Sequence, residues 1–246
     1  MLMISSLAST FGLKKRTDPA RCFHSDHYLR HNARRLEHLA SLGVPVAGRT
    51  VLELGAGIGD HSTYYLDRGC GLTITEAREE NLTELRARFP DTAVHKVDMD
   101  APDAVPGAPF GVVHCYGLLY HLENPVVALD YMAKVCDGML LLETCVSFGD
   151  EEAVHPKAEP KENPTQAASG MGCRPTRPWV FARLRERFAY VYATRTQPNH
   201  EEFPLDWSDA SAHRAPLSRA VFVASHAPVE NENLTPELPM VQVRHP

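Results

Sequence analysis

VLELGAGIGDHS, residues 51–62, decides how the rest of the chain is read. An apolar run ends in Gly55, Gly57 and Gly59, then passes into a segment that suits a helix. A buried strand that stops in such a turn sets its backbone at the carboxyl edge of a sheet. Glycine there permits positive φ and lets a ligand approach the main chain closely. The dinucleotide fingerprint G-x-G-x-x-G needs a third glycine at position 60, where this chain has Asp60. The even spacing departs from a pyrophosphate cradle. A Rossmann-like domain for another nucleotide remains the alternative at this point.

Working outward, the flanks alternate between two periodicities. Downstream, residues 61–69 suit a helix, 72–76 a second strand, 78–89 a helix and 93–100 a short third strand. Residues 110–117 give a fourth strand, 125–136 a helix and 138–146 a fifth strand. Mostly continuous apolar strands alternating with helices predict an α/β fold: a doubly wound, mostly parallel sheet with helices on both faces. Upstream, residues 24–42 form a helix in which Leu29, Ala33, Leu36 and Ala40 make one apolar stripe. His27, His31, Arg34 and His38 fall on its other face. Residues 147–174 are polar and rich in Pro, Gly and acids, and predict an irregular, mobile insertion overhanging the cleft. A helix over 176–188 and strands over 188–196 and 219–227 follow. This divides the chain into an N-terminal helical cap (1–47), an α/β domain (48–227) and a peripheral tail (228–246).

Composition bounds the function. Formal net charge is -6 over 246 residues, so no general basic surface invites nucleic acid. Six cysteines, Cys22, Cys70, Cys115, Cys136, Cys145 and Cys173, form no C-x-x-C pair and read as reduced thiols. No run reaches membrane-spanning length. In the first residues positive charge follows the apolar part, which does not suit a secretory signal. A cytoplasmic protein is expected. His27 and His31, four apart, offer half a metal site, but a solvated or substrate-facing surface is the expectation. The Cys115, Cys145, His114 and His121 group matches no metal-ligand spacing, so no metal is expected.

E-x-G-x-G-x-G from Glu53 to Gly59, an acid at Glu76 and Asp98 after the third strand together resemble the class I S-adenosylmethionine-dependent methyltransferases. The resemblance covers residues 48–146. It implies a seven-stranded sheet in the order 3-2-1-4-5-7-6 with the last strand antiparallel, and S-adenosylmethionine as cofactor. By that resemblance Gly55, Ala56, Gly57 and Gly59 line the methionyl part and Glu53 supports the turn. Glu76, with Ala77, takes the ribose hydroxyls; Asp98 and Met99 flank the adenine. Cys115, ending the fourth strand, completes the set. A fold that binds the cofactor without catalysis is a further alternative.

CYGLLYHLENP, residues 115–125, lies beyond the fourth strand, where doubly wound sheets hold ligands. It looks like the G-x-L-Y-H-L-x-x-P variant of small-molecule methyltransferases and is related to one in wobble-uridine tRNA modification enzymes. His121 reads equally as a general base and as a ring that holds its loop by a hydrogen bond. Tyr120 is a candidate for orienting the acceptor. Glu143, near the end of the fifth strand, is a second base candidate, a group that binds a substrate cation, or a cap of the next segment. Trp207, with His200, Glu201 and Glu202, is a further place where an acceptor could be met. The expected reaction is methyl transfer to a small-molecule or glycan-type hydroxyl. A tRNA-modifying activity is the runner-up.

Overall fold

The structure, a computed structural model, describes residues 18–245. The segment read as lacking a secretory signal, with the rest of the cap before position 18, lies outside the described residues. In chain order the helices are α1 (Pro19–Phe23), α2 (Asp26–Ser41), α3 (Ser62–Leu66), α4 (Glu79–Arg88), α5 (Pro125–Val135) and α6 (Arg177–Arg185). The strands are β1 (Thr50–Glu53), β2 (Gly71–Glu76), β3 (Ala93–Lys96), β4 (Phe110–Tyr116), β5 (Cys136–Cys145), β6 (Val154–Ala158), β7 (Met171–Pro175), β8 (Tyr190–Thr194), β9 (Thr196–Gln197), β10 (Arg219–Ser225), β11 (Leu234–Thr235) and β12 (Val243–Arg244).

The main sheet has eight strands in the order β11-β8-β10-β5-β4-β1-β2-β3. The seven predicted strands keep the order 3-2-1-4-5-7-6, with β8 sixth and β10 seventh. β11 adds an eighth at the edge. β1 to β5 pair in parallel, and β10 runs antiparallel to β5 and β8. The central strands β1, β4, β5 and β10 are largely buried because successive side chains feed opposite cores. Val51, Val112 and Leu141 pack on the face that holds Leu39, Tyr65 and Leu82. Leu52, Val113 and Leu142 pack on the face that holds Leu129, Trp179 and Val180.

Three expectations need correction. First, α2 is turned the other way. Leu29 is 47% exposed, Ala33 and Ala40 do not share one buried stripe with it, and His31, Arg35, His38 and Leu39 are buried. Two alanines in the apolar stripe offer little area to bury, whereas the polar face finds partners. His38 Nε2 lies 3.0 Å from the Thr196 carbonyl, and Arg35 reaches an acid on β5. Second, the 147–174 insertion is not irregular: β6 and β7 form an antiparallel ribbon. Its loop is pinned by Arg78, which donates to the Lys161, Gln166 and Ala167 carbonyls at 2.8, 3.2 and 3.0 Å. Asn81 Nδ2 adds a bond to the Pro164 carbonyl at 3.1 Å. Third, the tail joins the fold through β11 on the sheet edge and β12 on β9. Among the described residues no helix is long and apolar enough to cross a membrane.

Candidate active site

A cleft of about 1010 Å³, its open mouth included, lies across the carboxyl ends of β1, β2 and β4. Its floor is the glycine turn. Gly55 and Gly57 sit at φ 62° and 60°. A Cβ on either would lie 2.7 Å from a neighbour, Leu118 for Gly55 and the Phe23 ring for Gly57. Both positions need glycine for their positive φ, and a Cβ would also force these neighbours to shift. Gly59 is corrected. It is absent from the cleft lining, and its open side faces Phe89 and Leu85 beside and on α4. Its role is close helix packing.

Glu76 ends β2 inside the cleft and clamps this turn. Its Oε2 accepts from the Gly57 amide at 2.9 Å. Its Oε1 accepts from the amides of Ala77 and Arg78 at 2.8 and 2.9 Å. A carboxylate offers about four acceptor positions, so one remains for a further donor. Burial pushes the carboxyl above its usual range, against the pull of the three amides. Glu53 is buried below the turn and accepts from Ser62 Oγ at 2.6 Å. Burial, opposed by that bond, pushes it up to about 7. Ala56, Ala77, Asp98 and Met99 line the same cleft. Asp98 also accepts from the Asp100 amide at 3.0 Å.

The other end of the cleft is built from the chain after β4. A 3-10 turn, Leu119–His121, brings Tyr120 and His121 to the lining. His121 Nδ1 pairs closely with Glu159 Oε2. Glu159 follows β6 and is held by the Ala167 amide at 2.9 Å and by Arg174 at 3.2 Å. Burial pulls His121 below the ordinary histidine range although Glu159 pulls it upward. Burial would raise Glu159, but its bond to His121 and the neighbouring charges hold it low. The pair is thus a carboxylate accepting Nδ1–H of a neutral imidazole, which leaves Nε2 as the basic nitrogen. Sequence reasoning missed Glu159. It stands among Glu151, Glu152 and Glu162 in a polar stretch, with nothing local to single it out.

Tyr120 accepts from Arg219 Nη2 at 3.2 Å. The guanidiniums of Arg174 and Arg219 lie 4.9 and 5.0 Å from its ring centre. Burial pushes the phenol up, so it stays protonated. Five cleft residues carry a buried polar atom with no hydrogen-bond partner: His31 Nε2, Arg35 Nε, His61 Nε2, Asn81 Oδ1 and Tyr116 Oη. His61 is fixed through its other nitrogen, 3.2 Å from His114 Nε2, and His114 Nδ1 lies 2.8 Å from Tyr65 Oη.

Glu143 is no base. It is fully buried behind the cleft and takes Arg35 at 2.8 Å and Arg219 at 3.0 Å. Burial alone would raise its carboxyl, but the two guanidiniums outweigh it and hold it below its usual range. Its structural role is to fix two arginines that do line the cleft. Cys115 is likewise corrected: its side chain belongs to the core beside Leu119 and Leu142. Trp207 is away from the cleft, bonded through Nε1 to Gln242 Oε1 at 2.8 Å and covered by Arg177 at 4.0 Å.

The arrangement, a glycine turn clamped by an acid with a histidine opposite, can be set beside known proteins. A family model described as a methyltransferase domain matches residues 23–192, well over half of the chain. The chain belongs to this methyltransferase family. It is a class I S-adenosylmethionine-dependent methyltransferase with a Rossmann-like fold. A tRNA U34 carboxymethyltransferase of Edwardsiella ictaluri (strain 93-146) is 33% identical over 126 residues, 48% of this chain and 38% of that protein. One from Haemophilus influenzae (strain PittGG) is 30% identical over 128 residues, 49% of this chain and 39% of its own. This methyltransferase therefore matches well under half the length of those relatives. Among solved structures, the N-terminal domain of EvdMO1, crystallised in the presence of SAH and D-fucose, is 24% identical with a TM-score of 0.59. The match covers 82% of this chain and 84% of that one. A Mesorhizobium loti S-adenosylmethionine-dependent methyltransferase has a TM-score of 0.57 at 15% identity, covering 80% and 99% of the two chains.

Proposed function

We propose that this methyltransferase moves the methyl group of S-adenosylmethionine to a hydroxyl of a small, hydroxyl-rich acceptor, of sugar or glycan type. The Glu159–His121 pair at the cleft carries the reading. The acceptor oxygen attacks the methyl carbon in line with the carbon–sulfur bond. That bond breaks, its electrons go to sulfur, and S-adenosylhomocysteine leaves. The acceptor's proton passes to His121 Nε2, while Glu159 holds the ring and offsets the imidazolium charge. Such a base supplies about 10²–10⁴-fold, and alignment of the two reactants supplies much of the rest.

The unpartnered atoms of His61 and Tyr116 give the acceptor end a polar, hydrogen-bonding wall. Tyr120 and Arg219 orient the acceptor. A structural relative crystallised with a methyl-donor product and a deoxy sugar is consistent with this class of acceptor. A tRNA acceptor is the second reading, favoured by the curated relatives. The net charge of -6 weighs against it.

The deciding experiment gives the purified protein methyl-labelled cofactor with a panel of sugars and hydroxylated small molecules, and separately with total tRNA. Label in the small-molecule fraction supports the proposal. Label in tRNA overturns the acceptor assignment. Tight S-adenosylhomocysteine binding with no methylated product in either arm makes the protein a cofactor-binding partner instead.

A further inference from the structure

We propose that His31, His200 and Glu202 form a binding site for a divalent transition metal of the zinc class, joining α2 to the loop after β9. All three residues are buried, and their ligand atoms lie within 4.8 Å of one another. Two atoms each about 2.0–2.1 Å from a tetrahedral ion stand about 3.3 Å apart, so small side-chain rotations close the set. Two imidazoles and a carboxylate are a donor set that zinc takes readily and that magnesium and calcium do not prefer.

The independent observation is the state of the two histidines. His31 Nε2 and His200 Nε2 are buried without any hydrogen-bond partner. A buried polar atom left unmatched costs about 1–3 kcal/mol; His200 Nε2 lies 3.7 Å from the Glu201 carboxylate and His31 Nε2 lies beside that of Glu202, and one shared ion would satisfy both nitrogens. The rings stand 4.9 Å apart, and His31 Nε2 is 3.8 Å from Glu202 Oε2. Metal at His200 Nε2 puts the ring proton on Nδ1 and gives up only a long contact, 3.3 Å, with the Glu202 amide.

The carboxylate is already oriented. Glu202 Oε2 already accepts from Arg219 Nε at 2.7 Å, the kind of outer bond that orients a ligating carboxylate. Arg35 and Arg219 are balanced in place by Glu143 and Glu202. A second triad, His27, His200 and Glu201, overlaps the first but is mostly exposed, and Arg30 already pairs with Glu201. The buried triad is thus the site. His31 also lines the cleft, so a metal there would stiffen the acceptor wall.

The test is titration of the full chain with zinc and with cobalt(II). The expected result is one tightly bound ion per chain, a cobalt spectrum of nitrogen and oxygen ligation, and a zinc-dependent rise in Tm. His200→Asn and His31→Asn should each weaken binding by about tenfold or more and abolish the Tm rise. His200→Asn should keep S-adenosylhomocysteine affinity, which certifies its fold. No stoichiometric binding overturns the proposal. So does a thiolate band in the cobalt spectrum, or unchanged affinity in both variants.

Discussion

Replacing Glu76 by alanine tests the cofactor end of the cleft. The carboxylate accepts three backbone amides, from Gly57, Ala77 and Arg78, and has one acceptor position left. A hydrogen bond to a charged group contributes about 1.5–3 kcal/mol. Loss of a single ribose bond of that size raises the S-adenosylhomocysteine Kd about 10- to 150-fold. Release of the Gly57 amide loosens the turn and moves the result toward the upper end. The folded protein suffers as well. If even one amide stays dry, about 1–3 kcal/mol of stability is lost, and each kcal/mol lowers Tm by about 2–4 °C in a chain of this size. Glu76→Gln should fall between, since one oxygen still serves Ala77 and Arg78 while an amide nitrogen opposes the Gly57 N–H. Calorimetry with S-adenosylhomocysteine and thermal unfolding read both effects. Binding within about twofold of the unaltered protein, with Tm unchanged, would refute the assignment of Glu76 to both turn and ribose.

Other perturbations separate the remaining roles. Glu159→Gln removes the charge that fixes the His121 tautomer, so kcat should fall by about 10²-fold with S-adenosylhomocysteine affinity kept. In the unaltered protein kcat/KM should rise with pH below the ordinary histidine range and be flat above it, because the active form of His121 is neutral and its pKa is lowered. In the Glu159→Gln protein that rise moves to still lower pH; an unmoved profile assigns it to another group. Glu53, pushed up from 4.5 to about 7 in the folded state, binds its proton more tightly folded than unfolded. Its contribution to stability is present below pH 4.5 and is lost as pH rises toward 7. Tm measured across that window should fall for the unaltered protein and fall less for Glu53→Gln. Glu143→Ala leaves Arg35 and Arg219 buried without their shared carboxylate, and should cost about 3–5 kcal/mol in denaturant unfolding. A full loss of turnover with unchanged stability would instead restore Glu143 as a base.

The parts of the site legible in the sequence are those built by near neighbours in the chain. Gly55, Gly57 and Glu76 are read from one strand–turn–helix unit and the end of the next strand, and the structure brings them together. Strand order followed from a resemblance that the sheet bears out, with β11 added. What sequence did not reveal depends on distant pairing. Glu159 finds His121 across 38 positions, and Arg35 finds Glu143 across 108. Helical periodicity misjudged α2 for the same reason: alternation of apolar and polar residues predicts the buried face only when polar groups lack buried partners, and here they have them. Cys115 and Gly59 failed on a finer scale. Each lies on the predicted element, but its side, set by strand alternation and helix contact, faces the core.

The most direct test is a single-turnover measurement with carbon-13-methyl S-adenosylmethionine and a sugar acceptor identified from the panel. The predicted product carries the label as a methoxy carbon. His121→Ala should slow its formation by about 10²–10⁴-fold while S-adenosylhomocysteine still binds at its original affinity. A label found on nitrogen, or a methoxy product formed at full rate without His121, would contradict the assignment of this cleft as a histidine-assisted O-methyl transfer site.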